Sequence, residues 1–318
     1  MRHFPNRPEY RRSRGFSLIE MIVAIGIIGL LLALVLPAIQ YSRESVRRAE
    51  CKNHLRQIGI AVHSYAEAFG CFPANHFGLV TVNGSAMRVD DYSAHARLLP
   101  YYGLSTIYKS LDFGRNLNDL STIGEVAEIP LLKCASDPAA TGSKGSYCFS
   151  IGTVPVPLPV FVRSGAFPAS VGLTPASIRD GLSNTVGVAE KLCGSGGNFD
   201  PIRDAVLVSP GASAIDEASA EFWIATCQSL TGAASWNRDH GSPWLVGSRM
   251  IYNHILPPNS PVVDCGELVT VPMFGIHTTR SFHSGSVNVM RMDGSSESIN
   301  NSIDMRVWWA LGTRAGND

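Results

Sequence analysis

The chain has 318 residues, 45% apolar and 16% charged, with 26 basic and 26 acidic side chains that cancel. This composition excludes a disordered chain. Beyond residue 15 there are 21 basic and 25 acidic residues, so the bulk has no basic surplus to hold nucleic acid. Thirty glycines and nineteen prolines point to a body rich in turns and strands.

Residues 1–15 carry five arginines and one glutamate, and Met21 to Ile39 follows as 19 residues without a charge. An uncharged run of about 20 residues is long enough to cross a hydrocarbon core as a helix. A cleaved secretory signal would have a shorter apolar core and a small-residue cleavage site, but this run continues into a helical pattern. A plain signal anchor fits the length and leaves Glu20 unexplained, because a carboxylate beside lipid is costly without a partner.

The stretch "RGFSLIE", residues 14–20, accounts for both features. It resembles the processing site of bacterial type IV prepilins and of the pseudopilins of type II secretion. The resemblance implies cleavage after Gly15 by a prepilin peptidase and N-methylation of the new first residue, Phe16. It also implies that Glu20, at mature position five, pairs with the N-terminal amine of a neighbouring pilin-like subunit. A charged pair formed where water is scarce would make an unpartnered Glu20 expensive. Orientation does not follow from charge. The leader has five basic residues, and so does the stretch from 40 to 56 (Arg43, Arg47, Arg48, Lys52, Arg56). A body on the exported side of the cytoplasmic (inner) membrane rests on the resemblance.

The helix is expected to continue past the membrane. Cys51, Leu55, Ile58, Val62, Tyr65 and Phe69 form an apolar stripe at spacings of three and four, with Arg48, Lys52, Arg56 and His63 opposite. Gly70 and Pro73 supply the stop. A helix from Phe16 to Phe69 would run about 80 Å at 1.5 Å per residue, with Pro37 as the place for a bend.

Seven cysteines (51, 71, 134, 148, 193, 227, 265) form no CxxC pair and no zinc-spaced Cys/His cluster, so no metal site is expected. Cys51 and Cys71 lie about 30 Å apart along a continuous helix and cannot bond to each other. Cys51 reads as a packed core thiol. The expected pairs are Cys227 with Cys265, which flank the Trp-rich loops, and then Cys134 with Cys148.

Past Pro73 the chain changes to short apolar segments broken by Gly, Pro, Asn and Asp. Residues 96–113 read as a short helical or mixed segment. "VPVPLPVFV", 154–162, is extended but cannot be a central strand. "NVMRMDGSSESI", 288–299, reads as a hairpin with Asp293-Gly294 in a tight turn.

His283, nine intervening residues, then Asp293-Gly294 resemble the C-terminal signature of a large bacterial family that joins a prepilin-type N-terminus to a body of unknown function (domain of unknown function 1559). "CKNHLRQIGIAVHSY", "LLKCASDP", "IRDGLSNTVGVAEK", "LPPNSP" and "ALGTRAGND" extend the similarity along nearly the whole chain. Cys148 is an extra cysteine against that pattern, and Asp318 stands where the family more often ends in Glu. The family's role is undefined, so the resemblance implies architecture and address rather than activity.

The candidate chemical residues read mainly as structural. Ten strand residues cover about 33 Å, so His283 and Asp293 are expected apart, with Asp293 in turn chemistry and His283 holding a loop. Asp180-Gly181 in "DGLSNT" lacks the acidic spacing of a calcium loop and reads as a turn held by Asx and Ser side chains. "WNRDHGSPW" reads as packed tryptophan beside a polar loop. No nucleophile elbow, zinc-protease or phosphate-loop signature appears.

The expected architecture is therefore α+β and pilin-like: a leader (1–15), a transmembrane half-helix (16–39), its amphipathic continuation (40–70), and an exported, mainly antiparallel β-rich body (71–318). The expected role is assembly and display, with membrane lipid, a prepilin peptidase and pilin-like subunits as partners. No cofactor, metal or nucleic acid is expected, and a cell-surface filament is one outcome of assembly. The competing reading is a binding protein or hydrolase that uses the helix only as a tether.

Overall fold

The computed structural model describes residues 17–75, 79–82, 85–88, 91–114, 117, 126–155, 164–168, 171–208, 220–230, 235–267 and 274–316. Gly15, Phe16 and most of the Pro-alternating stretch at 154–162 lie outside them. The chain divides into two compact units, one ending at Val46 and one beginning at Arg47.

Helix α1 runs from Leu18 to Phe69. In the first unit its side chains from Leu18 to Arg43 are exposed, and most of the large ones up to Ile39 are apolar. Among the described residues nothing packs on this stretch, and a helix apolar on every side is long enough to span a bilayer. Pro37 sits inside it.

In the second unit α1 buries Cys51, Leu55, Ile58, Gly59, Ala61, Val62 and Ala66. The apolar stripe is therefore shorter than its periodicity suggests. Tyr65 is half-buried and Phe69 is 63% exposed, while the small residues Gly59, Ala61 and Ala66 let the body approach the helix closely. The helix stops at Gly70, whose φ of 73° is left-handed and whose N–H donates to the Ala66 carbonyl at 2.8 Å.

The body begins with the strand pair β1 (Leu79–Val82) and β2 (Ser85–Arg88). The segment expected to be mixed splits into α2 (Ala94–Leu98), a 3₁₀ turn at Leu99–Tyr102 and α3 (Ser105–Ser110). There follow β3 (Tyr147–Ser150), β4 (Val186–Glu190), β5 (Ala205–Val208), α4 (Ala220–Ser229), β6 (Trp236–Asn237) and β7 (Ile251–Tyr252). The chain closes with β8 (Asp264–Glu267), β9 (Phe274–Gly275), β10 (Ser286–Arg291), β11 (Ser296–Asn300) and α5 (Met305–Gly312).

The central sheet has the order β11-β10-β4-β3-β7, antiparallel except for the β3/β7 pair. Every residue of β3 and β4 is buried, as expected for strands covered on both faces. The buried stripe of α1 and Trp308 of α5 belong to the same apolar core as this sheet. A second sheet, β6-β5-β8-β9, pairs β5 parallel to β8. It carries a smaller core of Val206, Trp223, Ile255, Leu256 and Ile276, with α4 fastened to β8 by the Cys227–Cys265 disulfide.

The β10–β11 hairpin falls where the alternation and Asp-Gly place it, but its connection is longer than a two-residue turn. Gly294 N donates to Arg291 O at 2.8 Å, and Arg291 N donates to Ser295 O at 2.9 Å. Gly294 takes the left-handed φ of 85°, and Asp293 Oδ1 accepts from the Ser295 N–H and hydroxyl at 2.9 and 2.6 Å.

Candidate functional site

Two places in the chain concentrate chemistry. The first is the start of α1. Ser17 precedes the helix and Glu20 is three residues on, the spacing of a capping box. Glu20 Oε2 accepts from the Ser17 N–H at 2.9 Å. The carboxylate thus has a local partner at the positive end of the helix within a single chain.

The second is a buried cluster in the body. Cys51 comes from α1, Cys134 follows a 3₁₀ turn at Pro130–Leu132, Glu190 is the last residue of β4, and His283 lies three residues ahead of β10. All four are buried, and their donor atoms lie within 4.8 Å of one another. Cys51 and Cys134 are disulfide-bonded. Cys134 Sγ lies 3.4 Å from His283 Nε2 and 3.6 Å from Glu190 Oε1, and His283 Nε2 lies 3.2 Å from Glu190 Oε1. Asn288 of β10 holds the carboxylate, donating its N–H to Oε2 at 2.8 Å and its side-chain amide to Oε1 at 2.9 Å.

This arrangement corrects two expectations. Cys51 is not a lone core thiol, and Cys134 bonds to it rather than to Cys148. Successive strand residues face opposite sides, and in β3 the hydroxyl of Tyr147 reaches back to Cys51 O at 3.4 Å. Cys148, the next residue, is turned to the other side and stays a buried free thiol. The His283 ring closes the cluster, with Nε2 beside Cys134 Sγ and Glu190 Oε1. Local spacing could not have shown this, since the four residues are scattered from position 51 to 283.

His283 and Asp293 stand at opposite ends of β10. Nearby, Arg48, on the face of α1 opposite the apolar stripe, donates to Ser284 O at 2.9 Å.

Asp180-Gly181 does form a turn, with Gly181 at φ 100°. The Asp180 side chain, however, leaves the turn and ties down the C-terminal segment. Its Oδ2 accepts from Thr313 Oγ1 at 3.0 Å and Gly316 N at 2.8 Å. In the Trp-rich loop, Trp244 is buried and donates to Ala127 O at 2.8 Å, while His240 is buried against His277. Between the two sheets, Asp264 receives Lys191 at 2.6 Å and Arg280 at 3.0 Å. Burial alone would raise its carboxyl, but Lys191 and Arg280 outweigh that and hold it well below the usual carboxylate range.

Residues 10–36 match the prokaryotic N-terminal methylation motif. With the apolar helix that follows, the motif supports a type IV pilin-like precursor with a membrane anchor. Over residues 40–306 the chain matches the family described as Protein of unknown function (DUF1559), and it belongs to that family. The fold is α+β, a long helix on a mixed-sheet body, and no curated protein and no solved structure matched the chain.

Proposed function

We propose that the chain is a pilin-like subunit, cleaved after Gly15, methylated on Phe16 and inserted through Glu20 into an assembly at the cytoplasmic membrane. The span would be residues 16–39, and residues 71–318 would be displayed on the exported side. The observation that carries this reading is the methylation motif at 10–36 with its one acid, Glu20, at the edge of the uncharged run. The Cys227–Cys265 disulfide supports export, since such bonds persist in oxidising compartments.

Glu20 would exchange partners on assembly. Within one chain it accepts from the Ser17 N–H. In the assembly it would meet the positive N-terminal amine of a neighbour, a stronger charge-assisted contact. The test is Glu20→Ala in the native host. The variant should be processed and membrane-bound yet missing from sheared or detergent-resistant assemblies. Wild-type levels of assembly in the variant would reject the role of Glu20 and favour a tethered binding protein or hydrolase.

A further inference from the structure

We propose that Cys51, Cys134, Glu190 and His283, when the two cysteines are in the dithiol form, make a closed four-coordinate site for a divalent ion of the zinc class.

The geometry carries the proposal. A tetrahedral ion with bonds of about 2.3 Å to sulfur and about 2.0–2.1 Å to nitrogen and oxygen sets its ligands about 3.6 Å (S···N), 3.3 Å (N···O) and 3.5 Å (S···O) apart. Around Cys134 the corresponding separations are 3.4, 3.2 and 3.6 Å. Three of the six edges of the coordination tetrahedron are thus already present without an ion. Parting the two sulfurs to about 3.8 Å would supply the sulfur–sulfur edge. Two sulfurs, one imidazole nitrogen and one carboxylate oxygen suit zinc, whereas calcium and magnesium take oxygen ligands. Asn288 fixes the orientation of Glu190 as an outer-shell partner would. All four ligands are buried, so the site has no open position for substrate and would be structural.

Binding of the ion to the dithiol involves no change of oxidation state. A newly made chain carries both cysteines as thiols. Binding of the ion forms two metal–sulfur bonds and releases the two thiol protons. The alternative fate of the thiols is the disulfide, formed with loss of two electrons and two protons to a cellular oxidant. Ion and disulfide are mutually exclusive fasteners of α1 to the sheet.

The test uses the full chain in detergent, reduced with a trialkylphosphine, which takes up the oxygen of one water and leaves two thiols. Thiols are counted by alkylation mass, and cobalt(II) is then added. One cobalt per chain is expected, with the visible bands of a tetrahedral ion and sulfur-to-metal charge transfer. His283→Gln and Glu190→Gln should each weaken cobalt binding by at least about tenfold, while their disulfide forms still melt cooperatively, which separates ligand loss from misfolding. The proposal is overturned by a reduced wild-type chain that shows no tetrahedral cobalt, or by a disulfide that stays closed under excess phosphine. Cobalt binding unchanged in both variants, which would place the ion on other thiols, also overturns it.

Discussion

The backbone of α1 touches the hairpin turn at Gly59 and Gly294: a methyl group on Gly59 would sit 2.9 Å from the Gly294 Cα. Eight residues earlier, about 12 Å along the helix, Cys51 joins the cluster that contains His283. The segment from His283 to Gly294 therefore grips α1 at both ends, through chemistry at one and close backbone approach at the other.

Gly59→Ala separates that contact from ordinary helix propensity. On a free helix the change stabilises by about 1 kcal/mol. Here it should destabilise by about 1–3 kcal/mol through overpacking, read as a lower thermal midpoint. A raised midpoint would contradict the contact. Gly294→Ala should also lose stability, since its φ of 85° costs an L-residue roughly 1–2 kcal/mol.

Asp264 balances two buried cations. Asp264→Ala leaves Lys191 and Arg280 without it in the interior, and breaking such a pair costs about 3–5 kcal/mol. Urea unfolding should show this as a large drop in midpoint. A change under about 1 kcal/mol, as expected for a surface pair, would show that water reaches the site.

The helix and the hairpin were legible because each repeats a local rule: apolar residues at helical spacing from Cys51 to Val62, and alternation around Asp293-Gly294. The cluster was not legible. Glu190 reads as the end of an apolar strand, and nothing local links it to Cys51 or His283; only the β10-β4-β3 order brings them together. The Cys134–Cys148 expectation failed for a related reason, since nearness in sequence does not tell which face of β3 Cys148 occupies. In the stripe's last turn Tyr65 packs on the core while Phe69, at the same helical spacing, stays exposed, because the chain turns away at Gly70.

Acid should weaken the body. Burial lowers His95 to about 4 and His254 to about 3, each partly offset by a hydrogen bond to a backbone carbonyl. Their unfolded values lie near 6.5. The unfolded chain therefore binds more protons between those limits, and stability is full above about pH 6.5 and falls on acidification. Each histidine contributes a slope of about 1.4 kcal/mol per pH unit until its folded value is reached. Urea midpoints measured at about pH 7 and about pH 5 should differ accordingly, and equal midpoints would contradict the buried neutral rings.

The three free cysteines should differ in reactivity. Burial pushes the Cys148 thiol up to about 12 and Cys193 higher still. Cys71 is half-buried. Native alkylation followed by mass mapping should label Cys71 first and leave Cys148 and Cys193 unmodified until the chain unfolds. Early labelling of Cys148 would mean that the central sheet opens, and early labelling of Cys193 that the segment after β4 does.

The most direct measurement of the central claim is the intact mass and N-terminal peptide of the chain taken from its native membrane. The expected result is a mature chain that begins at N-methylated Phe16, with residues 1–15 gone. A chain that still begins at Met1 would contradict it, leaving an uncleaved anchor and a function that resides in the body alone.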